Sequence, residues 1–230
     1  MRKGIATAAL GAAALCVFGR NAAAYAAQPT GEWRWYGGSP GGDKYSPLDQ
    51  ITAKNVNKLH IAWVAPAAPP EVLHGKQPLE GGNFQFTPLM VDGMLYMRSA
   101  AGPVVAMDPT SGKVLWVDQQ ARGHGRSRGL SYWSDGKDAR ILAMDGSDLV
   151  ALNAKTGARY PDFGDHGHVD LKIYADPRPN SPVGGFSWSS FPVVVGNIVI
   201  IAGVADLDQD AASKLPAGVK PALDAPSDIR

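Results

Sequence analysis

The chain of 230 residues has a single cysteine, Cys16, and it falls in an apolar stretch near the start. The remainder can form no disulfide and offers no thiol nucleophile, and without a Cys-x-x-Cys-His run it has no site for covalently attached haem. Neither sign of charge is in excess. The formal net charge is +1, so no broad basic field advertises nucleic acid. Low-complexity tracts are absent. The longest apolar run, residues 4–19, is rich in Ala and Gly and shorter than the ~20 residues that span a bilayer. What is abundant is turn-forming residues. The 27 glycines and 18 prolines are spread along the chain and call for many turns, which suits an all-β protein.

The most informative stretch is residues 87–116, TPLMVDGMLYMRSAAGPVVAMDPTSGKVLW. Pro88 opens a short apolar strand, where its missing N–H is tolerated. Asp92-Gly93 is a hairpin turn, since Gly accepts a positive φ. Met94 to Met97 is the return strand. Ala101-Gly102 and residues 108–112 turn twice more around strands at Val104 to Met107 and Lys113 to Trp116. Four short strands in about thirty residues make a propeller blade or a sandwich meander. Repetition decides between them. AMDPTSGK, ending the blade, returns as ALNAKTGA from Ala151, a spacing of about 45 residues. The opening PLMVDGMLYM returns as PVVVGNIVII from Pro192, two blade-lengths on. A further copy lies between them, as Leu130 to Trp133, a Ser134-Asp135-Gly136 turn, and Arg140 to Met144. A radial array of blades repeats in this way and a sandwich does not. The spacing therefore predicts a partial β-propeller of about three four-stranded blades, the second over residues 129–159 and the third beginning at Phe191.

The flanks read as follows. Met1-Arg2-Lys3, the apolar run and the A-x-A sites of residues 22–27 form a secretory signal peptide. The residue before Cys16 is Leu15, not a small one, which argues against a lipoprotein anchor. Residues 28–230 are then one domain exported to the periplasm, an oxidising compartment where calcium is available. Residues 51–59 predict a short helical turn. His60 to Val64 reads as an isolated strand able to pair with a last blade and close the ring. Residues 66–83, 119–128 and 177–187 read as loops, and 160–171 as an excursion after the second blade.

Several blocks in one order carry a resemblance: WYGG through GDKYSPL (residues 35–48), NV to AW (55–63), TPLMV (87–91), RGLSYW (128–133), FG to GHVDL (163–171) and PVV (192–194). Together they resemble the eight-bladed dehydrogenases that use pyrroloquinoline quinone (PQQ), in particular their glucose and aldose branch. The resemblance implies a sugar or polyol substrate, PQQ near the propeller axis with a calcium ion, a quinone or other electron acceptor, and an aspartate base on the protein. It assigns Arg128 as a contact to PQQ, and a guanidinium suits the carboxylates of that cofactor. It assigns Asp206 as a calcium ligand, with Gly203, Val204 and Ala205 along the cofactor. Gln85 stands where the family usually has glutamate and can hydrogen-bond but brings no charge. Met144 falls where a threonine is usual and reads as core. The adjacent cysteines of alcohol-oxidising members are missing near Gly125 and Ser127, which favours sugars or polyols. His166 and His168, beside Asp165 and Asp170, read as a polar turn and not a metal site.

The family's base lies in later blades, so no residue here is assigned as catalytic. The chain reads as the N-terminal portion of such an enzyme. The alternatives are a non-catalytic propeller scaffold that binds a partner at its free edge, and a ring completed by a second chain.

Overall fold

The computed structural model describes residues 31–73, 85–122, 128–171, 183–188 and 190–207. Residues 1–27, read from the sequence as a signal peptide, most of the loop before Gln85, and the tail beyond 207 lie outside the described residues. Within them, no helix is long and apolar enough to cross a membrane. The described helical elements include a 3-10 turn, Val56–Lys58, and one turn of α-helix, α1 (Pro70–Leu73). The turn sits within the residues expected to be helical.

The first sheet is the predicted blade. Its strands β1 (Leu89–Val91), β2 (Met94–Arg98), β3 (Val104–Met107) and β4 (Val114–Val117) pair antiparallel in chain order. The β1–β2 hairpin closes on Asp92 and Gly93, both at positive φ, 48° and 76°, the geometry a tight hairpin requires. The second sheet repeats the plan with β5 (Ser131–Ser134), β6 (Ala139–Asp145), β7 (Asp148–Asn153) and β8 (His168–Asp170). Here the expected boundary needs correction. The blade does not end at Arg159, because the outer strand is split. Arg159 bridges Leu152, residues 160–167 leave the sheet, and His168 to Asp170 rejoin it opposite Val150 to Asp148. What reads as an excursion carries half of the fourth strand.

The third repeat is a hairpin, β10 (Val193–Val195) with β11 (Ile198–Ile200), turning at Gly196. A further correction concerns residues 177–187: β9 (Val183–Ser187) is a strand, paired antiparallel with β12 (Val204–Leu207). Among the described residues there are thus two four-stranded sheets and two two-stranded ones. The anticipated strand at His60 to Val64 is not formed. That segment is without ladder pairing among the described residues, and Ile61 and Val64 are 79% and 83% exposed.

Sheets stack face to face through alternate side chains. Val105, Met107 and Val117 pack outward against Val72 and Trp63. Leu89, Val104, Ala106 and Trp116 pack the other way, against Ile141, Val150 and Leu152 of the second sheet. The second sheet's opposite face, Leu142, Met144 and Ala151, meets Val194, Val199 and Trp188. Met144, 1% exposed, is core, as read from the sequence. Period-two alternation with both faces buried gives the layering of a propeller.

One corner recurs. Asp108 Oδ1 accepts the N–H groups of Thr110 and Ser111 at 2.7 and 2.9 Å. Asn153 Oδ1 accepts those of Lys155 and Thr156, both at 3.0 Å. Each corner ends in a glycine at positive φ, 69° at Gly112 and 73° at Gly157. A tryptophan from the preceding layer lies on each: a Cβ at Gly112 would stand 2.5 Å from Trp63, and one at Gly157 2.5 Å from Trp116. Both indoles also donate to a corner carbonyl, Trp63 to Pro109 at 2.9 Å and Trp116 to Ala154 at 3.0 Å.

Candidate functional site

The inner strands β1, β5 and β10 lie side by side and run the same way. Thr87 and Gly129 form a parallel bridge just ahead of β1 and β5, and the Ser131 hydroxyl donates to the carbonyl of Pro192 just ahead of β10. At the far ends, the Trp133 indole donates to Asn197 at 3.3 Å and the Tyr132 hydroxyl to Asp92 at 3.3 Å. The inner strands therefore begin at one common end.

The segments that carry Gln85 and Arg128 lead into β1 and β5 from that end. The Thr87 N–H donates to the Arg128 carbonyl at 3.2 Å, and Gln85 lies two residues before Thr87. Both side chains are exposed and free to approach a ligand. Gly203 follows β11 toward the same end. The space where a Cβ would stand is taken by the Trp188 ring at 2.4 Å, so the absence of a side chain at Gly203 serves Trp188. Val204, Ala205 and Asp206 form β12 opposite Ser187, Phe186 and Gly185.

Three features around the inner strands escape sequence reading. The first is a stack of Tyr36 on Phe191, with centroids 4.2 Å apart and planes 15° apart, against Gly129. The second is a cleft of about 390 Å³ beside that stack, bordered by Arg34, Lys44, Tyr132 and Val194. Arg34 is engaged within it, paired to Glu32 and lying over the Tyr132 ring at 5.3 Å. The Glu32 bond holds its guanidinium above the ordinary arginine value, while burial raises the Tyr132 phenol. The third is a buried ionic cluster between the first two sheets. Arg159 donates to Asp118 at 2.8 Å and to Asp145 at 2.7 Å, with all three side chains 5% exposed or less. Burial pulls the Arg159 guanidinium down, but its bonds to Asp118 and Asp145 prevail and hold it above the ordinary value. Nearby Arg98 is lowered by burial and donates to the Met144 carbonyl. Asp145 also accepts the Arg122 N–H at 3.0 Å, and Asp118 that of Gln120 at 3.1 Å. The cluster thus anchors the start of the loop that leads to Arg128. No composition or local motif could have announced it, because its three members come from three strands' ends.

Only one of the two histidines lies in the expected turn, and His168 belongs to a strand. His166 sits at φ 49° with its side chain 91% exposed, and His168 begins β8. Among the described residues no group of three His, Cys, Asp or Glu is placed to hold a metal ion.

Stacked repeated sheets and parallel inner strands set the frame for comparison with known proteins. Residues 33–227 match the family model for the PQQ glucose/ethanol/alcohol dehydrogenase beta-propeller domain. The chain belongs to this family. It is 32% identical over 196 residues to a quinoprotein glucose dehydrogenase of Gluconobacter oxydans (strain 621H), covering 75% of the chain and 23% of that protein. It is 30% identical over 220 residues to a quinate/shikimate dehydrogenase (quinone) of Acinetobacter baylyi (strain ATCC 33305 / BD413 / ADP1), covering 84% and 26%. The chain spans about a quarter of the length of these relatives. In fold it is similar to the quinohemoprotein alcohol dehydrogenase of Comamonas testosteroni, with TM-score 0.55, 22% identity and coverage of 77% and 26%. The PQQ dehydrogenase family thus accounts for the propeller repeat.

The residues present fit the family's cofactor. PQQ is an aromatic tricarboxylate. An exposed guanidinium and an exposed amide are carried on the two segments that lead into β5 and β1, and a guanidinium pairs with carboxylate through two N–H groups. Gln85 supplies a neutral donor and acceptor.

Proposed function

We propose that this chain is part of a PQQ-dependent dehydrogenase that oxidises CH–OH groups of sugars or polyols and passes electrons to a quinone-type acceptor. The observation that carries the reading is that the backbone segments bearing Arg128 and Gln85 run side by side into adjacent inner strands, with both side chains exposed. Arg128 pairs with a cofactor carboxylate. Gln85 hydrogen-bonds the cofactor without adding negative charge. When bound, PQQ supplies the two-electron redox chemistry, and the protein contributes orientation and charge. The sugar side is favoured by the absence of cysteines from the segment before Arg128. Calcium is part of the proposal, with Asp206 as an oxygen ligand of the hard type that such an ion takes. So is export to the periplasm by residues 1–27. The exposed apolar margins, Ile61 and Val64 on one side and Val195 and Ile198 on the other, support packing of further sheet against them, from a second chain or a longer one.

Titration calorimetry of the purified chain with PQQ and calcium tests this, with sugar-dependent dye reduction in the same sample. Saturable binding that Arg128→Ala weakens about tenfold or more supports it, the loss being that of one charge-assisted bond. Soluble, folded protein that binds no PQQ overturns it and leaves the non-catalytic propeller scaffold in front.

A further inference from the structure

We propose that the Tyr36–Phe191 stack is a positioning platform for Arg128, so that cofactor affinity depends on two rings far apart in the chain. The inference rests on the PQQ reading of Arg128. The rings belong to segments fixed independently. Tyr36 follows Trp33, whose backbone exchanges two hydrogen bonds with Met90 of β1 at 2.8 and 3.0 Å. Phe191 precedes Pro192, whose carbonyl receives the Ser131 hydroxyl. One ring is thus carried by the inner strand of the first sheet and the other by that of the third. They close face to face over the start of the second.

Gly129 lies at this closure. A Cβ there would stand 2.9 Å from Tyr36 Cδ2 and 3.3 Å from Phe191 Cβ. Gly129 is not among the glycines at positive φ, so the reason for glycine is space, not backbone conformation. Any side chain there would run into the Tyr36 ring. The neighbouring Arg128 is held through its own carbonyl by the Thr87 N–H at 3.2 Å. The backbone on which the Arg128 guanidinium is mounted is therefore clamped at two successive residues, by a hydrogen bond at one and by the stack at the next. Gly129 is buried while Arg128 is exposed, which is the arrangement of a fixed mount with an accessible head. A long, four-torsion side chain binds more tightly when its base is immobile, because less freedom is lost on contact.

The experiment is PQQ titration, with calcium present, of the full chain and five variants, Arg128→Ala among them, each checked for a wild-type far-UV spectrum and a cooperative melt. Phe191→Ala and Gly129→Ala weaken binding about tenfold, the first by removing a ring and the second by pushing both away. Phe191→Tyr and Tyr36→Phe keep the stack and bind within about twofold of wild type. A stack that serves only as core packing would shift melting without this split between ring-keeping and ring-removing variants. If Phe191→Ala fails to fold, Gly129→Ala, which retains both rings, decides. Folded Phe191→Ala or Gly129→Ala protein that binds as wild type does, while Arg128→Ala loses binding, overturns the platform and leaves the cofactor reading standing. Wild-type protein that binds no PQQ overturns both.

Discussion

The first and second sheets are copies in plan and differ in how their fourth strand and their corner are made. In the first, β4 runs unbroken from Val114 to Val117, with one register shift. In the second, the strand starts at Arg159, loses residues 160–167 to a loop and resumes at His168. The corner is built on Asp108 in one sheet and Asn153 in the other. What stays constant is the tryptophan resting on a glycine at positive φ. The repeat is therefore specified at the corner, where one side chain and one backbone conformation must agree, while the outer strand can be cut and rejoined.

The most damaging way to test that lesson is to remove the tryptophans in turn. Trp116 is buried, 9% exposed, and Trp63 is only half-buried. Trp116→Ala leaves a cavity between two sheets and costs about 3–5 kcal/mol, with about 1 kcal/mol more for the lost bond to Ala154. Trp63→Ala costs about 2 kcal/mol, because less apolar surface is uncovered. Denaturant unfolding of both variants checks the order. Equal losses would show that the two corners do not differ in what is packed on them.

Much of this comparison can be read from the sequence, because it is local. Asp92-Gly93, the paired corners and the period-two strands each announce themselves within ten residues. The split of β8 does not, since a polar stretch of eight residues with Gly164 and Gly167 looks like the end of a sheet. β9 escapes as well, because Val183-Gly184-Gly185-Phe186-Ser187 has too little side chain to show alternation. At the site, Arg128 and Gln85 can be singled out by their resemblance to family positions, but the pairing of the segments that carry them is a property of the Thr87 to Arg128 hydrogen bond. Tyr36 with Phe191, and Arg159 with Asp118 and Asp145, are invisible for the same reason: nothing local links residues brought together by stacking of separate sheets.

Arg159 sharpens the comparison next, since it opens the interrupted strand and reaches back to the first sheet. Arg159→Met leaves two buried carboxylates without the cation bonded to them, with only the nearby Arg98 guanidinium to offset their charge. We expect a loss of about 3 kcal/mol, the low end for a broken buried pair, because the Arg122 and Gln120 N–H groups continue to share the charges. Adding Asp118→Asn and Asp145→Asn to Arg159→Met should recover part of it, since neutral amides are cheaper to bury than unpaired charges. A triple variant no more stable than Arg159→Met would show that the cluster acts through shape and not charge.

The smallest effect separates the corners by pH. Hydrogen bonds from the Thr110 side chain, then from the Thr110 and Ser111 N–H groups, hold the Asp108 carboxyl below its ordinary value. A folded-state pKa that is depressed means the unfolded chain binds the proton more readily. The contribution is therefore complete above about pH 4, the ordinary carboxylate range, and is lost as pH falls through the folded value. Asn153 makes the matching bonds with an amide that does not titrate. Asp108→Asn should leave melting at pH 7 nearly unchanged and narrow the drop between pH 5 and pH 2.5, while Asn153→Asp should widen it. Because Asp108 is at the surface, solvent screens its contribution to stability, and reading it as the difference between two variants at each pH cancels the acid response of the other carboxylates. If Asp108→Asn and wild type lost stability in parallel on acidification, the first corner would owe nothing to charge, and Asp108 and Asn153 would be interchangeable caps.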